Sequence, residues 1–134
     1  MAIEWKQEYS IGFERIDNQH KALIRAINKL YEAIYNRAIK DKLSEVLEEL
    51  TEYADMHFET EEIYFDKFGY ENAANHKQEH KKFRKKISEV CKKYKKDELK
   101  ISFDLADFLE DWLVHHLVNE DQKYIKCFKD NGLT

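Results

Sequence analysis

Seven side chains in this chain have the types and spacing to do chemistry together: His20, His57, Glu61, His76, His80, His116 and Asp121. Five are imidazoles and two are carboxylates, a donor set that suits iron, zinc, copper or manganese. An ordinary zinc site needs only four ligands, so the set points to a two-metal centre. Two octahedral ions offer roughly twelve positions. Five histidines, two bridging carboxylates and one bridging oxygen leave a single position open. Phe58, Phe83, Leu113 and Leu117, the neighbours of that gap, are apolar and supply no general base. A dry, nearly filled centre of this kind favours reversible binding of a small neutral molecule over hydrolysis.

The spacing supports convergence. His57 and Glu61 are four apart, as are His76 and His80, so each pair shares one helix face. His116 and Asp121 are five apart, about 140° around an ideal helix. They meet if the helix is distorted, if Asp121 reaches across, or if a π-type turn intervenes. Glu61 and Asp121 lie within otherwise apolar faces, where an unpaired charge is costly, and a pair of cations would compensate them. Glu59 and Glu62 match the phase of His57 less well and are expected to face solvent. His115 sits about 100° from His116 and is read as a neighbouring or surface residue. Spacing alone does not choose between those two histidines.

The elements that must position this set are helices. Proline is absent, only three glycines occur, and Lys, Glu, Leu, Ile and Ala abound, a composition that favours long helices. Residues 1–16 lack helical periodicity but carry the apolar anchors Ile3, Trp5, Tyr9, Ile11, Phe13 and Ile16, and are expected to form an ordered arm. Asp17 reads as an N-cap. Apolar residues then recur at spacings of three and four, predicting helices at about 17–38, 41–66, 72–94 and 101–128, with a charged linker at 95–100. The expectation is one domain, residues 1–134, all-α, folded as an antiparallel up-down-up-down four-helix bundle with an N-terminal arm.

Composition excludes several partners. A net charge of -4 does not point to nucleic acid. The Lys-rich stretch 77–100 is flanked by acidic helices and reads as interhelical charge matching. No run approaches the ~18 apolar residues of a membrane span, and no secretory signal is visible. Cys91 and Cys127 form no CxxC pair and read as reduced thiols of a cytoplasmic protein, although spacing alone permits a disulfide between them.

Two rival motifs fail. Ferritin-like carboxylate sites use Glu-x-x-His pairs, and no histidine here has glutamate three residues before it. His76 to His80 spells the H-x-x-E-H peptidase pattern, but a peptidase would leave His20, His57, His116 and both carboxylates unexplained.

The sequence resembles the hemerythrin family, in particular its single-domain bacterial members. Four segments carry the resemblance: Ile16-Asp17-Asn18-Gln19-His20, His57-Phe58-Glu59-Thr60-Glu61-Glu62, His76-Lys77-Gln78-Glu79-His80, and 112–121, which ends Asn119-Glu120-Asp121. Together they extend over nearly the whole chain, from Trp5 to about Phe128. His115 departs from the pattern, standing where asparagine is common in the family. The resemblance implies two iron ions with a bridging oxo or hydroxo. It implies that His76, His80 and His116 hold the saturated iron, that His20 and His57 hold the iron with the open position, and that Glu61 and Asp121 bridge. It further implies reversible dioxygen binding, for storage, delivery or supply, by a protein that is not an enzyme. An oxygen, nitric oxide or redox sensor domain is the alternative. Leu113 is the expected pocket gate. Tyr124, three residues after Asp121, is expected either to donate a hydrogen bond at the site or simply to pack.

Overall fold

A computed structural model describes residues 3–97 and 100–133. The first two residues of the expected arm, two of the expected linker (98 and 99) and residue 134 of the expected domain lie outside the described residues. Helix α1 spans Glu14–Tyr35, α2 Lys40–Phe68, α3 Ala73–Lys95 and α4 Phe103–His115. They form an all-helical bundle, and no strand occurs among the described residues.

Helix α1 begins before the expected residue 17, because Asp17 does not cap it. Its carboxylate accepts from the Ser10 hydroxyl at 2.5 Å and the Ile11 N–H at 2.9 Å. The helix starts instead after extended Phe13, with Glu14 and Asp17 in its first turn, where acidic groups favour the helix dipole. Gly12, at φ +81°, makes the turn from arm to helix at a conformation other residues adopt only with strain. At the far end of the arm, Ile3 exchanges two hydrogen bonds with the Asn28 side chain, both 2.9 Å. Tyr9, Ile11 and Phe13 are buried, so the arm is part of the core.

Helix α1 stops at Tyr35, short of the expected 38. Arg37 takes φ +53°, and the Ala38 N–H reaches back to the Ala33 carbonyl at 2.9 Å, a helix-ending closure. Helix α2 ends in the same manner at left-handed Gly69, with Tyr70 N–H bonded to the Phe65 carbonyl at 3.1 Å.

The expected fourth helix is not one α-helix, and here the expectation is corrected. After α4, residues His116–Glu120 form a π turn and Asp121–Tyr124 a 3₁₀ turn, before a short α5, Ile125–Asp130. The axis continues while the phase of the side chains changes.

The core is split. One apolar cluster, with Leu23, Ile27, Leu30, Leu47, Leu50, Phe58, Ile87 and Leu109, fills most of the bundle. A second, of Ile11, Phe13, Ile16, Phe65, Tyr124 and Phe128, closes the end where the arm packs. Each large side chain buried in these clusters stabilises the fold by about 1.5–3 kcal/mol. The clusters are separate because a buried polar side chain stands between them: His20 between Ile16 and Leu23, Glu61 between Phe58 and Phe65, and Asp121 between Leu117 and Tyr124.

Charge matching covers the outside. Lys77 pairs with Asp66 at 2.6 Å and Lys95 with Glu48 at 3.1 Å, joining basic α3 to acidic α2. Cys91 and Cys127 are unpaired and half-buried. No described helix is long and apolar enough to cross a membrane.

Candidate metal centre

The structure brings all seven predicted side chains into the polar layer between the two clusters, and every one is at most 1% exposed. All five histidines turn Nε2 inward. Asp121 divides them. Its Oδ2 lies 2.7 Å from His20 Nε2 and 3.3 Å from His57 Nε2, while its Oδ1 lies 2.8 Å from His116 Nε2 and 3.1 Å from His76 Nε2. Glu61 Oε1 lies 3.0 Å from His57 Nε2, 3.1 Å from His80 Nε2 and 3.2 Å from His116 Nε2. Glu61, His76, His80 and His116 offer ligand atoms all within 4.8 Å of one another, and so do His57, Glu61, His116 and Asp121.

The π turn explains how His116 and Asp121 meet. The Asp121 N–H donates to the His116 carbonyl, so the backbone bond itself spans five residues and places one side chain above the other. Of the three routes open from spacing, this is the one taken, and such turns occur frequently at functional sites. His115 points outward, its side chain 61% exposed and hydrogen-bonded to Asn119 at 3.1 Å.

The electrostatics ask for cations. Burial pushes both carboxyls up, but the surrounding imidazoles hold Glu61 and Asp121 well below the usual carboxylate range. Burial would lower His57 and His76, yet the two carboxylates raise them to about 10 and about 9. His20 is lowered by burial and by His57 beside it. Two buried anions are thus balanced by protons shared over the rings. Among the described residues, several buried polar atoms at the site, Glu61 Oε2 among them, have no protein hydrogen-bond partner. Buried polar atoms are rarely left so, and their convergence with this donor set fits a pair of metal ions.

Aromatic rings hold the imidazoles. Phe58 stacks on His80 at 4.0 Å and Trp112 on His116 at 4.8 Å, while Phe65 packs edge-on to His76 at 4.8 Å. Tyr124 is fully buried within 5.8 Å of the His76 ring, and its hydroxyl has no protein partner. One turn from His20, His57 and His116 lies a cavity of about 10 Å³. Leu23, Ala54, Phe58, Phe83, Trp112 and Leu113 are among its walls. That is about the least space that holds one water-sized molecule.

Sequence reasoning missed the residues behind the rings. His57 Nδ1 faces Gln19 Oε1 at 3.1 Å, and Gln19 is held by the Thr60 hydroxyl at 3.0 Å. His80 Nδ1 faces Glu62 Oε2 at 2.8 Å. Glu62 is therefore not the solvent-facing residue that helical phase suggested; its side chain is only 26% exposed. The signal lay in adjacency. A residue next to an inward side chain sits about 100° round the helix and can face the neighbouring helix. Gln19, next to His20, serves α2, and Glu62, next to Glu61, serves α3.

A helical bundle enclosing a buried imidazole–carboxylate cluster defines a class, the helical metal-binding proteins. Comparison narrows it. The model of the hemerythrin HHE cation binding domain matches residues 11–128. A bacteriohemerythrin of Clostridium acetobutylicum is 36% identical over 125 residues, covering 90% of this chain and 97% of that one. Myohemerythrin-1 of Phascolopsis gouldii is 30% identical over 122 residues, covering 90% and 89%. A crystal structure of wild-type hemerythrin superposes with a TM-score of 0.90 at 30% identity, covering 95% of this chain and 98% of that chain. The chain belongs to the hemerythrin family. It is a di-iron, oxygen-binding protein.

Proposed function

We propose that His76, His80 and His116 hold one iron, His20 and His57 the other, and that Glu61 and Asp121 bridge them, so that the chain takes up and releases dioxygen for storage, delivery or supply. The observation that carries this reading is the division made by Asp121. One oxygen faces His20 and His57 and the other faces His76 and His116, the arrangement expected of a carboxylate shared by two cations. When bound, the iron pair supplies electrons to dioxygen and recovers them on release.

The chain's own residues do the rest. The apolar cavity bounded by Leu23, Ala54, Phe58 and Leu113 admits a small neutral molecule and disfavours water, which needs polar partners to stay. Leu113 stands at its edge, a turn before His116, and gates it. No acid or base lines the cavity, so proton delivery for hydrolysis or further reduction is lacking. Carriage is favoured over the sensor alternative by the curated relatives, which are bacteriohemerythrins and a myohemerythrin. The reading takes the chain as one domain, with two free thiols consistent with the cytoplasm.

The test is anaerobic reconstitution with ferrous iron, followed by air. Two irons per chain and a reversible charge-transfer band are the expected result. One tightly held zinc with no visible band would sink the reading.

A further inference from the structure

The five rings are not held alike on their outer sides. Among the described residues, His20, His76 and His116 have no protein hydrogen-bond partner at Nδ1. His57 has a neutral one, the Gln19 amide oxygen. His80 has an anion, Glu62. Glu62 is itself fixed, because the same Oε2 accepts from Arg84 Nη1 at 3.1 Å, and Arg84 Nε donates to Asp55 at 3.1 Å. The Arg84 guanidinium also lies 5.2 Å over the Phe58 ring, whose other neighbour is His80 at 4.0 Å. His80 is thus gripped in its plane by Glu62 and across its face by Phe58, and Arg84 braces both.

We propose that Glu62 is a positioning residue that fixes the His80 ring and strengthens it as a donor, making the His76/His80/His116 half of the centre the anion-backed half. This rests on the di-iron reading above. An Nδ1–H donated to a carboxylate fixes the tautomer that leaves Nε2 free for the metal, and it raises the basicity of that nitrogen. Arg84 keeps the carboxylate aimed without reaching His80. Gln19 gives His57 the same orientation with no charge. The two halves therefore differ in electron supply, and the better-supplied half better tolerates the ferric state.

The experiment uses the full chain loaded with iron, comparing wild type with Glu62→Gln, Glu62→Ala and a control, Lys95→Ala, that breaks a different α2–α3 ion pair. Iron per chain, the rate of iron loss to a chelator and the reduction potential of the iron pair are measured, with far-UV circular dichroism to confirm folding. Losing such a partner weakens metal holding about 10–100-fold, so Glu62→Ala should shed iron faster by that order. Glu62→Gln keeps an acceptor without charge. It should retain iron within a few-fold of wild type yet show a raised potential, about 59 mV for each tenfold change in a one-electron couple. Lys95→Ala should change neither. Wild-type retention in Glu62→Ala, an unshifted potential in Glu62→Gln, or equal effects in Lys95→Ala would each overturn the inference while leaving the di-iron reading intact. A wild-type chain that holds fewer than two irons would overturn that reading instead, and this inference with it.

Discussion

Asp121 is the residue on which the centre turns, since it alone faces both histidine groups with separate oxygens. Asp121→Ala and Glu61→Ala should each lose the iron pair, whereas His115→Ala, a change at an exposed ring, should keep it; iron counted per chain decides. The protons held in the iron-free site give a second prediction. His57 and His76 are raised to about 10 and about 9 from 6.5. A raised basic group stabilises the fold below its unfolded value, and that stabilisation is lost as pH climbs through the folded one. Glu61 and Asp121 are depressed, so their share is present above the ordinary carboxylate range and is lost in acid. Metal needs neutral rings. Iron or zinc loading at pH 7 should therefore release protons, and the release should shrink toward pH 10. Calorimetric titration in buffers of different ionisation heat measures it, and no release at pH 7 would show the rings already neutral. At this scale the sequence was legible for side chains that point inward, because donor type and phase mark them. It was not legible for Glu62 and Gln19, whose roles depend on which neighbouring helix lies beside them, or for the choice of His116 over His115.

The elements place those residues, and the segment after α4 is the instructive one. A five-residue spacing fits no straight α-helix, yet the π turn at His116–Glu120 makes five residues one full turn. Periodicity found the helix but not its change of phase, since a single wide turn leaves the apolar pattern on both sides intact. The expected start of α1 at Asp17 failed for a related reason. A short acidic residue beside a helix start can cap the helix or clip the preceding chain, and Ser10 and Ile11 decide the matter by supplying donors. The π turn makes a sharp prediction. Inserting one alanine between Val118 and Asn119 sets His116 and Asp121 six apart, about 120° out of phase on an α-helix, and should abolish iron loading with helix content retained. Deleting exposed Asn119 sets them four apart, the spacing of His57 and Glu61, and should keep it. Iron content and circular dichroism of the two variants test this, and equal loss in both would show that the turn has some role other than register.

Across the whole molecule, the centre is a polar layer between two apolar clusters that do not merge. The layer is the weak plane of the fold, because buried groups there are balanced by protons and leave partners unmatched. It is also where α1, α2, α3 and the α4 extension all meet, each contributing at least one of the seven side chains. Metal held there ties all four elements, whereas a core residue ties only its own cluster. The two kinds of support should separate experimentally. Leu30→Ala, at a fully buried position of the larger cluster, should cost about 2–5 kcal/mol and leave iron stoichiometry unchanged, since Leu30 is nearly three turns from His20. Phe65→Ala in the smaller cluster should cost a comparable amount and also weaken iron retention, because Phe65 packs against His76. Metal itself acts by mass action, adding at each of the two sites about 1.4 kcal/mol for each tenfold rise in free ion above its dissociation constant. Anaerobic thermal melts over a series of ferrous concentrations should therefore show a midpoint that keeps climbing with the logarithm of free iron after both sites are full. A midpoint that stops at saturation would mean that the unfolded chain, with its histidines exposed, competes for the ion, and that the layer adds less to the fold than its burial implies.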